Sequence, residues 1–108
     1  MSAQKVFPVA DLEPGSARKV VLDGIAIAVV RDSAGDVHAL GDTCTHGEIS
    51  LSEGFVEEDA IECWAHGSAF GLADGQPRSL PAYIPVPVFA VEIIDGDIYV
   101  DPSLRLAV

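Results

Sequence analysis

The chain has 108 residues, of which 49% are hydrophobic, and a formal net charge of −11. This supplies the apolar material for one core, so a single domain over residues 1–108 is expected rather than disorder. The acid excess argues against nucleic acid or an anionic membrane as partner, and the most apolar run, Ile25 to Val30, is far too short to span a bilayer.

Lys5 to Val9 reads as a first strand, closed by the turn chemistry of Asp11-Leu12-Glu13-Pro14-Gly15. Lys19 to Leu22 and Ile25 to Val30 flank Asp23-Gly24, a two-residue hairpin loop in which both positions favour positive φ. The second of these runs is apolar at every position and therefore belongs in the middle of a sheet. Ser33 to Asp36 turn the chain into another strand, Val37 to Gly41.

The pattern then breaks. Asp42 to Gly54 has no clean period, and Leu51 to Phe55 has room for one helical turn at most. Phe55-Val56 and Ala60 to Cys63 form a short hairpin around Glu57-Glu58-Asp59, and Gly67 to Gly71 is rich in turn residues. Ser79 to Pro87 holds Pro81, Pro85 and Pro87 and is expected to run as an extended cover, because proline cannot donate to a ladder. Val88 to Ile94 and Asp97 to Val100 close the chain around a second Asp-Gly loop. A regular scaffold broken by an irregular insert is where site loops are found. The expected architecture is all-β: an antiparallel sandwich or barrel with a small inserted subdomain at about residues 42–80.

That insert holds the chemistry. Cys44-Thr45-His46 is answered, after sixteen intervening residues, by Cys63-Trp64-Ala65-His66, and these are the only two cysteines. Each half offers a thiolate and an imidazole, a ligand mix suited to iron–sulfur or zinc chemistry. A zinc finger pairs its cysteines with each other and its histidines with each other; here each loop donates one of each, as if two loops gripped a two-metal object. A zinc module on the same four residues remains the alternative, as does a plain disulfide between the two cysteines. No basic and apolar leader opens the sequence, so the expectation is a cytoplasmic protein in a compartment that keeps thiolates reduced.

Cys-x-His followed by Cys-x-x-His-Gly resembles the cluster-binding signature of Rieske proteins, in which two cysteines hold one iron of a [2Fe–2S] cluster and two histidines the other. The length, the strand pattern and the proline-containing segment after the second loop are similar to the small Rieske ferredoxins of multicomponent oxygenases. The resemblance implies one [2Fe–2S] cluster on Cys44, His46, Cys63 and His66. It also implies a one-electron carrier, not itself an enzyme, that is a monomer. Electrons would pass from a flavin-dependent NAD(P)H reductase to a terminal non-heme iron oxygenase. Another redox partner, such as iron–sulfur assembly machinery, is the alternative destination, and an accessory domain of the same fold that has lost its cluster is a further one.

Gly67, Ser68 and Phe70 lie beside the implied ligands. High-potential relatives carry an extra cysteine in each loop, the two joined as a disulfide, where this chain has Ile49 and Ala65, and a tyrosine where it has Phe70. Loss of one hydroxyl donor, an apolar cover and ten surrounding carboxylates imply a potential at the low end of that family's range, with Ser68 as the remaining donor. Trp64 reads first as a packed aromatic, or else as an exposed docking residue, and His38 as an ordinary strand residue. Between Asp32 and Pro77 there are ten acids and no Lys or Arg. Glu48, Glu53, Glu57, Glu58, Asp59 and Glu62 are therefore candidate contacts for basic partner surfaces.

Overall fold

The computed structural model describes residues 3–43, 50–64, 69–78 and 85–105. Its organising element is β3 (Ile25–Arg31), in which Ile27, Ala28, Val29 and Val30 are all buried. Strand geometry sends alternate side chains to opposite faces, so Ile27 and Val29 fill one core and Ala28 and Val30 another. Burying a Val or Ile side chain contributes roughly 1.5–3 kcal/mol. The three large side chains of this one strand therefore contribute an amount of the same order as a domain's net stability, about 5–15 kcal/mol.

Around it runs a six-stranded antiparallel sheet in the order β1-β9-β8-β4-β3-β2. Its members are β1 (Gln4–Pro8), β2 (Ser16–Leu22), β3, β4 (Val37–Gly41), β8 (Val88–Ile94) and β9 (Asp97–Arg105). The edges β1 and β2 come together through side chains. Gln4 Nε2 donates to Asp23 Oδ2 at 3.2 Å, and the Arg18 guanidinium sits 4.6 Å from the centre of the Phe7 ring. The sheet thus curls into a nearly closed barrel, filled by Phe7, Leu12, Ile27, Val29, Ala39, Phe89, Ile98 and Val100.

A second sheet, β5 (Phe55–Glu57), β6 (Ala60–Glu62) and β7 (Ala69–Gly71), packs against the other face. It turns Ile61 and Phe70 inward onto Ala28, Val30 and Leu40, with Leu51, Cys63, Leu72, Val86 and Val88 completing that core. Phe55 and Glu57 stay exposed on its outer face.

Both Asp-Gly loops take the expected conformation, Asp23 and Gly24 at φ 52° and 78°, Asp95 and Gly96 at 52° and 81°. Among the described residues helix is limited to single 3-10 turns at Val9–Asp11 and Leu51–Glu53, and no helix is long and apolar enough to cross a membrane. Two features depart from the sequence reading. β7 lies in what reads as turn, because Phe70 is carried by pairing with Ile61 rather than by any run of its own. β9 continues past Val100 to Arg105 through Pro102. It does so by a break in register, Ala90 opposite Asp101 but Phe89 opposite Arg105, the kind of irregularity in which a strand tolerates proline. Of the proline-containing cover, residues 79–84 lie outside the described residues, and 85–87 form no strand.

Two glycines make a sharp comparison. A Cβ on Gly96 would meet nothing within 4 Å, whereas one on Gly54 would fall 1.9 Å from the Glu62 carbonyl oxygen. Gly96→Ala is expected to cost about 1–2 kcal/mol, for the left-handed backbone alone. Gly54→Ala is expected to cost more, because the β5–β6 junction must move apart. Urea midpoints of the two variants check the ranking.

Candidate metal centre

The first ligand segment is fixed from both ends by one buried acid. Asp42, 2% exposed, directly follows β4, and its N–H donates to the Ala26 carbonyl at 3.0 Å. Its own carbonyl accepts from Leu51 N–H at 2.6 Å. Its carboxylate accepts from Ser52 N–H at 2.9 Å and from the Ser50 hydroxyl, which lies 2.9 Å from Ser52 Oγ. A carboxylate taken out of water needs such donors, since burial without them is prohibitive. Thr43 and Ser50 form an antiparallel bridge, so residues 44–49 leave and return at neighbouring points.

The second segment has the same form. Glu62 on β6 pairs with Ala69 on β7, so residues 63–68 also start and finish side by side, and Arg78 N–H donates to the Ala69 carbonyl at 2.7 Å. The two bases meet at Gly54, whose missing side chain lets the chain after Leu51 press onto Glu62. Sequence reading names eleven residues at or beside the site. Cys44, His46, His66, Gly67 and Ser68 lie outside the described residues, as do Ile49, Ala65 and Glu48. Cys63, Trp64 and Phe70 are described. Cys63 is a free thiol, 1% exposed, in the same core as Leu51 and Phe70. Phe70 is fully buried, so its ring is an apolar neighbour of that thiol's surroundings rather than a surface residue.

Trp64 is the clear departure. It reads first as a packed aromatic, yet it is 52% exposed. Ile61 and Cys63 are buried in the core behind the small sheet, whereas Trp64 lies in the turn that follows β6, at the surface.

Asp59 is corrected as well. It does not stand free for a partner, because Arg78 Nη1 and Nη2 reach its two carboxylate oxygens at 2.8 and 3.3 Å. The guanidinium holds the Asp59 carboxyl below the usual carboxylate range, and in return the Arg78 pKa is raised. Both partners are exposed, so the pair acts more as a geometric clamp than as an energetic one. It fastens the β5–β6 turn to the chain after β7, where Leu72 N–H also donates to the Asp59 carbonyl at 2.8 Å. The clamp brings a base from just beyond the acidic stretch back onto it, a placement invisible in linear charge counting.

His38 is a strand residue, as expected, with a structural partner. Its Nε2 lies 2.9 Å from Asp32 Oδ2, and Asp32 Oδ1 accepts from Ala34 and Asp36 N–H at 3.0 and 2.9 Å. Burial pushes the Asp32 pKa up, but the hydrogen bonds from His38 and Asp36 outweigh it and the net direction is down. Among the described residues no three His, Cys, Asp or Glu side chains group as a metal site. Cys63 is the one implied ligand among them, and as a buried free thiol beside a tightly based segment it fits a thiolate-ligated metal.

The chain matches the Rieske [2Fe-2S] domain over residues 2–90. It is similar to Ferredoxin CarAc of Metapseudomonas resinovorans, 44% identical over 96 residues that cover 89% of this chain and 90% of that one. It is also similar to the 3-phenylpropionate/cinnamic acid dioxygenase ferredoxin subunit of Escherichia coli K12, 37% identical over 87% of this chain and 88% of that one. Among solved structures it resembles a chain from the complex of reduced oxygenase and oxidized ferredoxin in carbazole 1,9a-dioxygenase. There the TM-score is 0.83, with 42% identity over 90% of this chain and 99% of that chain.

Two outcomes test the supports described above. Asp42→Ala leaves Ser52 N–H without its charged acceptor, and loss of a hydrogen bond to a charged group costs about 1.5–3 kcal/mol; thermal unfolding should register it, and metal retention should fall with it. Asp32, with its folded pKa lowered, adds stability that is present above the ordinary value of 3.8 and is lost as pH falls through the lower folded value. Acid titration followed by circular dichroism should therefore show a loss below pH 3.8 that Asp32→Asn lacks.

Proposed function

The chain belongs to the Rieske [2Fe–2S] domain family, and from that premise we propose that it is the ferredoxin component of a multicomponent aromatic-ring dioxygenase system. In this reading Cys44, His46, Cys63 and His66 hold one [2Fe–2S] cluster, and the span from about 42 to 80 is the cluster-binding subdomain of one domain. The protein is a cytoplasmic monomer that takes electrons from a flavin-dependent NAD(P)H reductase and gives them to a terminal non-heme iron oxygenase.

The observation that carries this reading is the placement of the two Cys/His pairs. Each falls in a segment whose ends are held side by side, Thr43 against Ser50 and Glu62 against Ala69. The relatives named as ferredoxins of dioxygenases support the role. The complex of a similar ferredoxin with its oxygenase supports the acceptor.

When bound, the cluster supplies one-electron chemistry, and its histidine ligation raises the potential relative to an all-cysteine site. The chain's own residues do the rest. Asp42, Ser50 and Ser52 fix the two ends of the first segment to each other. Leu51, Ile61 and Phe70 exclude water from the side of Cys63. Exclusion of water on that side disfavours added negative charge, which places the potential low within the family. Gly67 and Ser68 follow His66 in sequence, and Ser68 brings the one hydroxyl of the 63–68 segment. Glu53, Glu57 and Glu58, all exposed, give partners an acidic surface, which suits brief electrostatic encounters with basic ones.

The reading predicts a reddish-brown protein with iron and acid-labile sulfide near two each per chain. The dithionite-reduced form should show the rhombic electron paramagnetic resonance of a mixed-ligand cluster, and His46→Ala should abolish or alter it. A colourless protein holding one zinc would establish the structural zinc module instead, and an unchanged resonance in His46→Ala would remove His46 from the ligand set.

A further inference from the structure

We infer that Trp64, with Phe55 on β5 as a second exposed ring, is the apolar anchor by which this ferredoxin docks on its terminal oxygenase, seated in an apolar recess rimmed by Lys and Arg. The inference rests on the proposed function and specifies its acceptor surface.

Large exposed aromatics are rare in this molecule. The chain has four Phe, two Tyr and one Trp, and of the Phe and Trp residues Trp64 and Phe55 are the strongly exposed ones among those described, at 52% and 58%. Phe55 on β5 pairs with Glu62 on β6, and paired residues point to the same face. Trp64 follows β6 by two residues, just past the buried Cys63, and stands exposed in the turn there. Glu57 shares the outer face of β5 with Phe55.

Nothing in the fold requires this. The inner face of the small sheet is already closed by Val56, Ile61 and Phe70. An indole held in water forfeits a large hydrophobic gain, which a partner surface restores.

Charge decides what kind of surface. Among the described residues from Ser50 to Trp64 there are five acids, Glu53, Glu57, Glu58, Asp59 and Glu62, and no base. Of these, Asp59 is taken by Arg78. Two exposed rings ringed by unpaired carboxylates match an apolar pocket with a basic rim, the core-and-rim form of a protein interface. They do not match a second copy of the same acidic face. Position decides which partner. Trp64 follows Cys63 directly in sequence, so whatever covers the indole comes within a short path of the metal, and a similar ferredoxin is seen in complex with its oxygenase.

Tryptophan is the residue type most enriched where truncation costs binding most. The test uses the cluster-bound protein, reduced with dithionite and mixed in a stopped-flow instrument with the oxygenase component of carbazole 1,9a-dioxygenase. Trp64→Ala should lower the second-order rate of electron transfer by about tenfold or more, Trp64→Phe should restore most of it, and Phe55→Ser should lower it less. The visible spectrum, the paramagnetic resonance and the midpoint potential should stay at their unsubstituted values, which a merely structural role would not allow. Val21→Ser, which removes an exposed apolar side chain from β2, should transfer at the unsubstituted rate. The inference is overturned if Trp64→Ala transfers as fast as the unsubstituted protein. It is overturned equally if Trp64→Ala slows only reduction by the reductase, or if Val21→Ser is as slow as Trp64→Ala. Failure of the unsubstituted protein to show a [2Fe–2S] spectrum, or to reduce the oxygenase, would instead count against the proposed function itself.

Discussion

β3 has to be covered on both sides, and most of the architecture follows from that requirement. A strand reading Ile-Ala-Ile-Ala-Val-Val has no face it can show to water. One face is satisfied by the curling of the main sheet, so that Phe89, Ile98 and Val100 come round to meet Ile27 and Val29. The other face cannot be covered by the same sheet, because a barrel has only one inside. It needs a separate layer, and the small β5-β6-β7 sheet is that layer. The metal-bearing insert is thus the lid of the second core as well as a functional addition, which is why Cys63 is found among Ala28, Val30 and Leu40.

This dual role explains what the sequence revealed and what it withheld. Local rules were enough for the two Asp-Gly hairpins, for β4 and β8 to the residue, and for β3 as a central strand, since these elements carry their own period or turn chemistry. β7 has no such signal: three residues, Ala69-Phe70-Gly71, become a strand only because β6 lies beside them. Asp42 was legible as one of ten acids but not as an anchor, for its partners Ser50, Leu51 and Ser52 are fixed by the return of the chain. Aspartate eight to ten residues before Ser-x-Ser is too loose a pattern to single out. The pairing of Asp59 with Arg78 crosses nineteen residues and depends on where the chain after β7 runs. Trp64 reads as packed on residue type alone, whereas its place in the turn just past β6 leaves it exposed. The Cys/His spacing, by contrast, is legible from the sequence alone, because ligand chemistry restricts residue type and spacing more tightly than packing does.

The same placement sets the electrostatics. Five of the six bases, Lys5, Arg18, Lys19, Arg31 and Arg105, belong to strands of the main sheet, and the acids concentrate on the insert. Packing the insert as a lid therefore separates charge across the molecule. The field orients the protein before contact, over a range of about 10 Å at 0.1 M salt. The price is repulsion among neighbouring carboxylates. Arg78 relieves it at one point, the turn that carries Glu58 and Asp59, where Glu58 also adopts a positive φ of 52°.

Charge steering alone would make a poor electron carrier, since carboxylates facing guanidinium groups can be satisfied in many orientations. Most of those orientations leave the metal far from the acceptor, and transfer needs one of them held long enough for the electron to pass. A single large apolar side chain changes the problem, because it has one pocket and a buried position only when seated in it. Trp64 next to Cys63 ties that seated orientation to a short path from the metal, by covalent adjacency rather than by any further contact. Its two ring faces and narrow edge also restrict rotation about the approach axis, which carboxylates do not. Long-range charge then governs how often partners meet, and the indole governs which meetings count. Both properties follow from where β6 ends: Ile61 and Cys63 are buried, and Trp64, in the turn directly after them, is exposed.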